Sequence, residues 1–139
     1  MSIKLLKAGF QDLIQDMGRF GNTHMGISPS GAADNISLRI GNLLLNNDIN
    51  APGIEITLFG GSYYFNKNAI IVLSGSKFTS TIDGKIISFS KPISVKTGQI
   101  ISISQTTDGA RCYLCIKGGF QVPPTLNSSS THILSKMGG

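Results

Sequence analysis

KFTSTIDGKIISF, residues 77–89, reads as two strand-forming runs joined at Asp83-Gly84. A two-residue type I′ turn needs positive φ at both central positions, and Asp-Gly tolerates this well, so the segment predicts a β-hairpin. The same code extends in both directions. Short β-branched or aromatic runs at 54–59, 62–65, 69–73, 77–82, 85–89, 93–95, 99–104 and 112–117 alternate with Gly, Asp, Asn and Pro, with further turns at Thr97-Gly98 and Asp108-Gly109. Spacing this even predicts a mainly β domain, a sandwich or a barrel.

One segment breaks the pattern. From about residue 35 to 45, Ile36, Ile40, Leu43 and Leu44 fall at i, i+4, i+7 and i+8, which predicts a single helix with one apolar stripe that covers a side of the β structure. Asp34 is placed to cap its N-terminus and Asn46-Asn47 suits its end. Gly41 inside a helix costs about 1 kcal/mol relative to alanine, which suggests that something packs closely there.

With 139 residues, 40% hydrophobic and 14% charged, the chain is read as a single globular domain, 1–139. Its net charge of +5 comes from twelve Lys and Arg against seven acids, and the lysines are scattered between Lys4 and Lys136. Nucleic-acid binders usually gather such charge in one patch, so no nucleic-acid partner is expected. No apolar run approaches the ~20 residues of a membrane helix, and residues 1–10 lack a signal-peptide core, so a cytoplasmic protein is expected. Cys112 and Cys115 lie three apart on a strand and therefore point to opposite faces, which predicts two free thiols rather than a disulfide or metal pair. His24 has no second ligand at metal spacing, and no metal site is predicted.

Residues 11–34, QDLIQDMGRFGNTHMGISPSGAAD, carry the densest chemistry. A loop this long in a small domain tends to be functional or disordered, and its mixture of acids, Arg19, Ser28, Ser30 and glycines favours function. Two readings stay open: a turn network in which Asp12, Asp16 and Arg19 tie the loop shut, or a loop in which Arg19 grips a carboxylate or phosphate. Ser28 and Ser30, flanked by Gly26 and Gly31, can set hydroxyls and N–H groups near the helix start. Glu55, the one glutamate, sits between Ile54 and Ile56; facing inward it needs a partner, with Arg39 or Arg111 available. The final Gly138-Gly139 would ordinarily lead into another element, so the chain is expected to be the first part of a longer architecture.

Several ordered motifs carry a resemblance. They are Gln15-Asp16-x-Gly18-Arg19-x-Gly21, Gly26-Ile27-Ser28-x-Ser30-Gly31-Ala32-x-Asp34, Leu38-Arg39-Ile40-Gly41-Asn42, Ile54-Glu55-Ile56-Thr57-Leu58 with Gly60-Gly61, Leu73-Ser74-Gly75, Gly109-x-Arg111-x-Tyr113-Leu114 with Gly118-Gly119, and Ser128-x-Ser130-Thr131. Together they resemble the allophanate hydrolase subunit 2 family, also called the C-type 5-oxoprolinase family, the KipA-like group of biotin-dependent carboxyltransferase relatives. The resemblance implies a cyclophilin-like β-barrel lobe, here the N-terminal lobe of a normally longer two-lobed protein. It implies a component of an ATP-dependent amide hydrolase, either 5-oxoprolinase-like, opening 5-oxoproline to glutamate, or related to allophanate hydrolase. ATP would be used through the complex. The partners implied are a KipI-like homologue, the B-type component of such complexes, and an A-type component, with self-association as a further expectation. Two alternatives remain: a regulatory binding partner of the KipI-like protein without chemistry, and a carboxyltransferase-type domain acting on urea or a similar acceptor. Carried over to this chain, the catalytic set is Asp16, Arg19, Ser30, Asp34 and Glu55, and the substrate-binding set is Gln15, Ser28, Gly31, Asn42, Arg111, Ser128, Ser130 and Thr131. The family pattern G-S-R-S-T is replaced here by Asn127-Ser128-Ser129-Ser130-Thr131, which removes one bidentate anion grip.

Overall fold

The computed structural model describes residues 2–139. Among these residues ten strands and one α-helix are formed: β1 (Ile3–Lys7), β2 (Gln11–Gln15), α1 (Asn35–Leu44), β3 (Gly53–Thr57), β4 (Ser62–Phe65), β5 (Ala69–Gly75), β6 (Phe78–Ile82), β7 (Lys85–Ile86), β8 (Ile93–Val95), β9 (Ile100–Thr106) and β10 (Arg111–Ile116). They pair as two antiparallel five-stranded sheets, β1-β4-β9-β6-β7 and β2-β3-β10-β5-β8. A single bridge, Phe59 to Gln105, joins the end of β3 to β9 across the sheets. The mainly β fold with one covering helix matches the expectation. At the turn between β6 and β7, Asp83 and Gly84 both have positive φ, 47° and 82°, and Ile82 pairs with Lys85, as a type I′ hairpin requires.

The principal core lies between the sheets. Ile54, Ile56, Phe65, Ile71, Leu73, Ile101, Ile103, Leu114 and Ile116 meet there, with Cys112 on the same side. A second, smaller core forms on the outer face of the second sheet, where Leu38 and Leu45 of the helical segment pack on Val72, Tyr113 and Cys115. Strands β3, β5 and β10 are therefore covered on both faces. This explains the unbroken apolar runs Ile71-Val72-Leu73 and Cys112 to Ile116, which lack the alternation of half-exposed strands. Cys112 and Cys115 occupy the two different cores and are free thiols, and burial pushes the Cys115 thiol up to about 12.

Two expectations are corrected. The segment 11–34 is not one loop: Gln11–Gln15 is an edge strand, paired with β3 from Gln11↔Thr57 to Gln15↔Gly53. Its polar composition reflects the edge position, where only one side has a partner strand and most side chains are half exposed; β1, also an edge strand, leaves Leu5 and Leu6 exposed. The helix, second, does not bury the stripe Ile36, Ile40, Leu43 and Leu44, all of which are exposed; Leu38, Gly41 and Asn42 face the sheet instead. Close approach decides the matter, because the helix backbone needs a glycine where it crosses β5 and β10. A Cβ on Gly41 would stand 2.6 Å from Cys115 Sγ and 2.8 Å from Ser74 Oγ, and Ser74 Oγ donates to the Ser37 carbonyl at 2.7 Å.

Gly41→Ala therefore sets a helix-propensity gain of about 1 kcal/mol against overpacking of about 1–3 kcal/mol. The expected result is a net loss in chemical denaturation, partly recovered in Gly41→Ala/Cys115→Ala. A stabilised single variant would show that the helix can lift without cost.

Both helix ends follow the sequence. Asp34 accepts from Ser37 N at 3.0 Å, and Asn46, at φ 54°, closes a Schellman turn in which Asn46 N donates to Leu43 O and Asn47 N to Asn42 O. Among the described residues no helix is long and apolar enough to cross a membrane.

Candidate functional site

The loop after β2 folds back against residues 125–131 and forms a dense polar latch. Asp16 is its centre. Oδ1 accepts from Gly18 N at 2.8 Å and from the hydroxyls of Ser128 and Ser130, each at 2.6 Å, while Oδ2 accepts from Ser129 N at 2.7 Å. Gln15 donates to the Thr131 carbonyl at 3.2 Å and accepts from Gly31 N at 3.2 Å. Thr131 in turn donates from its amide and its hydroxyl to the Ile14 carbonyl, at 2.9 and 3.0 Å.

Arg19 is 1% exposed. Its Nε donates to the Thr125 carbonyl at 3.3 Å, Nη2 to the carbonyls of Ser128 and Ser130, and Nη1 to Ser30 Oγ at 3.3 Å. A buried cation is tolerable only when hydrogen bonds replace its hydration, and main-chain oxygens do so here. Gly18 and Gly31, both with positive φ, cross so closely that a Cβ on Gly18 would meet the Pro29 carbonyl at 2.9 Å. Ser28 Oγ accepts from Ser30 N at 3.3 Å, on the exposed side of this crossing. Of the two readings left open by the residues, the observed geometry is the tied loop.

Burial alone would raise the Asp16 pKa, but hydrogen bonds from Ser128, Ser130, Gly18 and Ser129 outweigh it and hold the group below the ordinary aspartate value. A depressed folded pKa contributes stability that is present above the unfolded value and lost as pH falls through the folded one. The latch is thus expected to loosen only below about pH 4. Acid titration followed by circular dichroism should show a steep limb there that Asp16→Asn flattens, and an unchanged limb would assign the acid sensitivity elsewhere.

A second group lies at the start of α1. Glu55, 5% exposed on β3, accepts from Tyr113 Oη at 2.7 Å and from Ala33 N at 2.8 Å, and Tyr113 Oη accepts from Asp34 N at 2.8 Å. Burial first, and the Glu55 hydrogen bond second, push the Tyr113 phenol upward, so it remains a neutral donor. Of the two arginines weighed as partners for Glu55, it is Arg111 that pairs: its Nε stands 3.8 Å from Oε1, an ion pair too long for a hydrogen bond. Arg39 instead lies with Nε 3.3 Å from Met17 Sδ. The Arg111 side chain is 40% exposed, its Nε is buried without a hydrogen-bond partner, and it forms no side-chain hydrogen bond among the described residues, so, unlike Arg19, it is not tied down by main-chain oxygens.

The expected site residues therefore separate. Gln15, Asp16, Arg19, Ser28, Ser30, Gly31, Ser128, Ser130 and Thr131 gather in the latch, and Asp34, Glu55 and Arg111 gather at the helix start, joined by the short segment 31–34. Asn42 belongs to neither. It is fully buried at the helix end, donating to the Ala51 carbonyl at 2.8 Å and accepting from Asn47, which departs from its expected place among substrate contacts. Tyr113 stands in the motif Gly109-x-Arg111-x-Tyr113-Leu114 but in neither expected site set, although its pairing opposite Glu55 across β3 and β10 makes it the group that joins carboxylate and helix. Ser129 likewise enters through its amide, which sequence chemistry does not display. Among the described residues no three His, Cys, Asp or Glu side chains gather to hold a metal.

Comparison with known proteins agrees with this architecture. The family model of the carboxyltransferase domain, subdomain A and B, matches residues 25–139. Urea amidolyase of Saccharomyces cerevisiae is 40% identical over 139 residues, covering 99% of this chain and 8% of that protein. The C-type component of 5-oxoprolinase from Haemophilus influenzae is 37% identical over 137 residues, covering 99% of this chain and 44% of that one. Among solved structures, urea amidolyase of K. lactis superposes with a TM-score of 0.96 at 38% identity, over 99% of this chain and 8% of that chain. The chain thus spans less than half the length of these relatives.

Proposed function

Because the chain belongs to the carboxyltransferase domain family, subdomain A and B, we propose that it is one lobe of an enzyme component that acts on a small amide or lactam within an ATP-dependent complex. 5-Oxoproline is the first candidate substrate. The observation that carries this reading is the half-exposed Arg111 side chain, without a hydrogen bond of its own, beside the buried Glu55 carboxylate at the start of α1. A fork of this kind suits a planar carboxylate such as that of 5-oxoproline, and Glu55 would fix its orientation. ATP would supply the phosphoryl group that activates the lactam oxygen, leaving ADP, and two waters would be consumed, one adding at the ring carbon as the C–N bond breaks with the proton going to nitrogen, the other releasing inorganic phosphate. In this reading Arg111 binds and orients substrate, whereas Glu55, Tyr113 and Asp34 hold the helix start in register. Asp16, Arg19, Ser30, Ser128 and Ser130 are positioning residues that keep the adjoining segment 31–34 in place.

A test follows from reconstitution. The chain, purified with its KipI-like (B-type) and A-type partner homologues, is expected to support ATP hydrolysis that depends on 5-oxoproline. Arg111→Ala should lower kcat/KM by about a hundredfold, chiefly through KM, which corresponds to losing one charge-assisted bidentate contact. Glu55→Gln should lower it by about tenfold, with the fold retained. Binding to the partners without turnover in the unsubstituted complex would overturn the enzymatic reading in favour of a regulatory lobe.

A second reading is favoured by the likeness to urea amidolyase. Here the acceptor would be urea, receiving a carboxyl group from a biotin carrier elsewhere in the complex. Carboxyl transfer to urea, with no turnover of 5-oxoproline, would select it.

A further inference from the structure

The chain holds two Asp-Gly pairs, Asp83-Gly84 between β6 and β7 and Asp108-Gly109 between β9 and β10, and all four residues are exposed. In an Asp-Gly pair the amide nitrogen that follows can approach the side-chain carboxyl carbon with little hindrance, because glycine has no Cβ and a wide choice of backbone angles. The fold treats the two pairs differently. At Asp83 both carboxylate oxygens are held, Oδ1 by Ile100 N at 3.0 Å and Oδ2 by Gln99 Nε2 at 3.2 Å. At Asp108 neither carboxylate oxygen has a hydrogen-bond or ion-pair partner among the described residues, and Gly109 N donates to no acceptor there.

The main chain is anchored on either side of this second pair. Thr107 N donates to the Lys77 carbonyl at 2.8 Å, and Leu58 N donates to the Ala110 carbonyl at 2.8 Å. Between these anchors the linkage is held only through the Thr106 hydroxyl, which accepts from Asp108 N at 3.3 Å and stands 3.1 Å from the carbonyl oxygens of both Asp108 and Gly109. Its single proton serves one of those oxygens at a time. Position 109 nevertheless requires glycine, since its φ is 82° and a Cβ would collide with Ser76 Oγ. The one Asn-Ser pair, Asn127-Ser128, is guarded in another way, because Ser128 N is engaged with the Thr125 carbonyl at 3.2 Å.

We propose that Asp108 is a site of spontaneous isomerisation to isoaspartate. The Gly109 nitrogen attacks the Asp108 side-chain carboxyl carbon, and the carboxyl oxygen leaves as water with the amide proton, closing a succinimide ring. Water then adds to one ring carbonyl. Opening at the former main-chain carbonyl gives isoaspartate, with the main chain running through the side-chain carbon and a free α-carboxylate beside it. The water lost is the water regained, so no other reactant is consumed. Each event adds one carbon to the main chain between the anchors at Thr107 and Ala110. Ala110 leads directly into Arg111, which pairs with Thr57, so the extra atom disturbs the start of β10. The inference does not depend on the function assigned to Glu55 and Arg111 above.

The test uses the folded 139-residue chain, aged at physiological pH and temperature. Isoaspartate is counted by methyl transfer from S-adenosylmethionine with a protein isoaspartyl methyltransferase, which esterifies the free α-carboxylate. It is placed by peptide mapping with a protease that cuts before aspartate and not before isoaspartate. Conversion at Asp108 is expected to be at least about tenfold faster than at Asp83, where two hydrogen bonds must first break. In denaturant the two sites should convert at similar rates, because the difference lies in the fold. Asp108→Glu, which needs a larger ring, should remove the signal at 108 without lowering Tm, and Gln99→Ala, which frees Asp83 Oδ2, should raise conversion at 83. Aged protein should also lose exchange protection at Leu58 N, whose acceptor is the Ala110 carbonyl. Equal conversion at the two sites in the folded chain, faster conversion at Asp83, or no isoaspartate at Asp108 in the folded chain would each overturn the proposal.

Discussion

Arg19→Ala is expected to destabilise the protein by about 4 kcal/mol and to lower Tm by roughly 12 °C. The guanidinium holds three main-chain carbonyls of residues 125–130 from a fully buried position, so removal leaves those oxygens unpaired and opens a void. Arg19→Lys should recover only part of the loss, because a single ammonium cannot reach Thr125, Ser128 and Ser130 together. Limited proteolysis gives the local readout, with cleavage expected first within residues 122–139. If Arg19 instead acts as a donor to substrate, the variant will melt at the parental temperature and lose only turnover, and the structural assignment fails.

Gly61→Ala is the second large effect, about 3 kcal/mol or more. A Cβ there would overlap the Lys7 carbonyl oxygen and stand 3.1 Å from Gly9 N. Both obstacles are main chain, so no rotamer relieves the overlap and β1 must part from β4 near the existing irregularity between Leu5 and Lys7. Hydrogen exchange should show loss of protection across residues 3–7 well before the rest of the first sheet. Unaltered exchange in β1 would mean that the strand can shift to make room.

Within the fold, legibility depended on whether the signal was local. The Asp83-Gly84 turn, the Asp34 cap and the Asn46 ending each satisfy a backbone requirement within a few residues, and each is found where the residues indicate. The strands 62–65 and 93–95 likewise have the expected bounds. Edge strands were the weak point, since IKLLK and QDLIQ face too much solvent and too few neighbours to show a burial pattern.

The sequence by itself determined that this is a mainly β domain with one capped helix, that its two cysteines stay apart, and that residues 11–34 carry unusual chemistry. Local turn geometry and the two-residue strand period suffice for those conclusions. Only the tertiary structure decided which face of the helix is buried, because that depends on the close approach of Gly41 to Cys115 and Ser74, residues far apart in the chain. It also decided that Arg19 and Asp16 tie residues 125–131 down whereas Arg111 stays free of such ties beside Glu55. Charge and hydrogen-bonding capacity are written in residue types, but whether a guanidinium meets carbonyls or solvent is set by contacts more than a hundred residues apart.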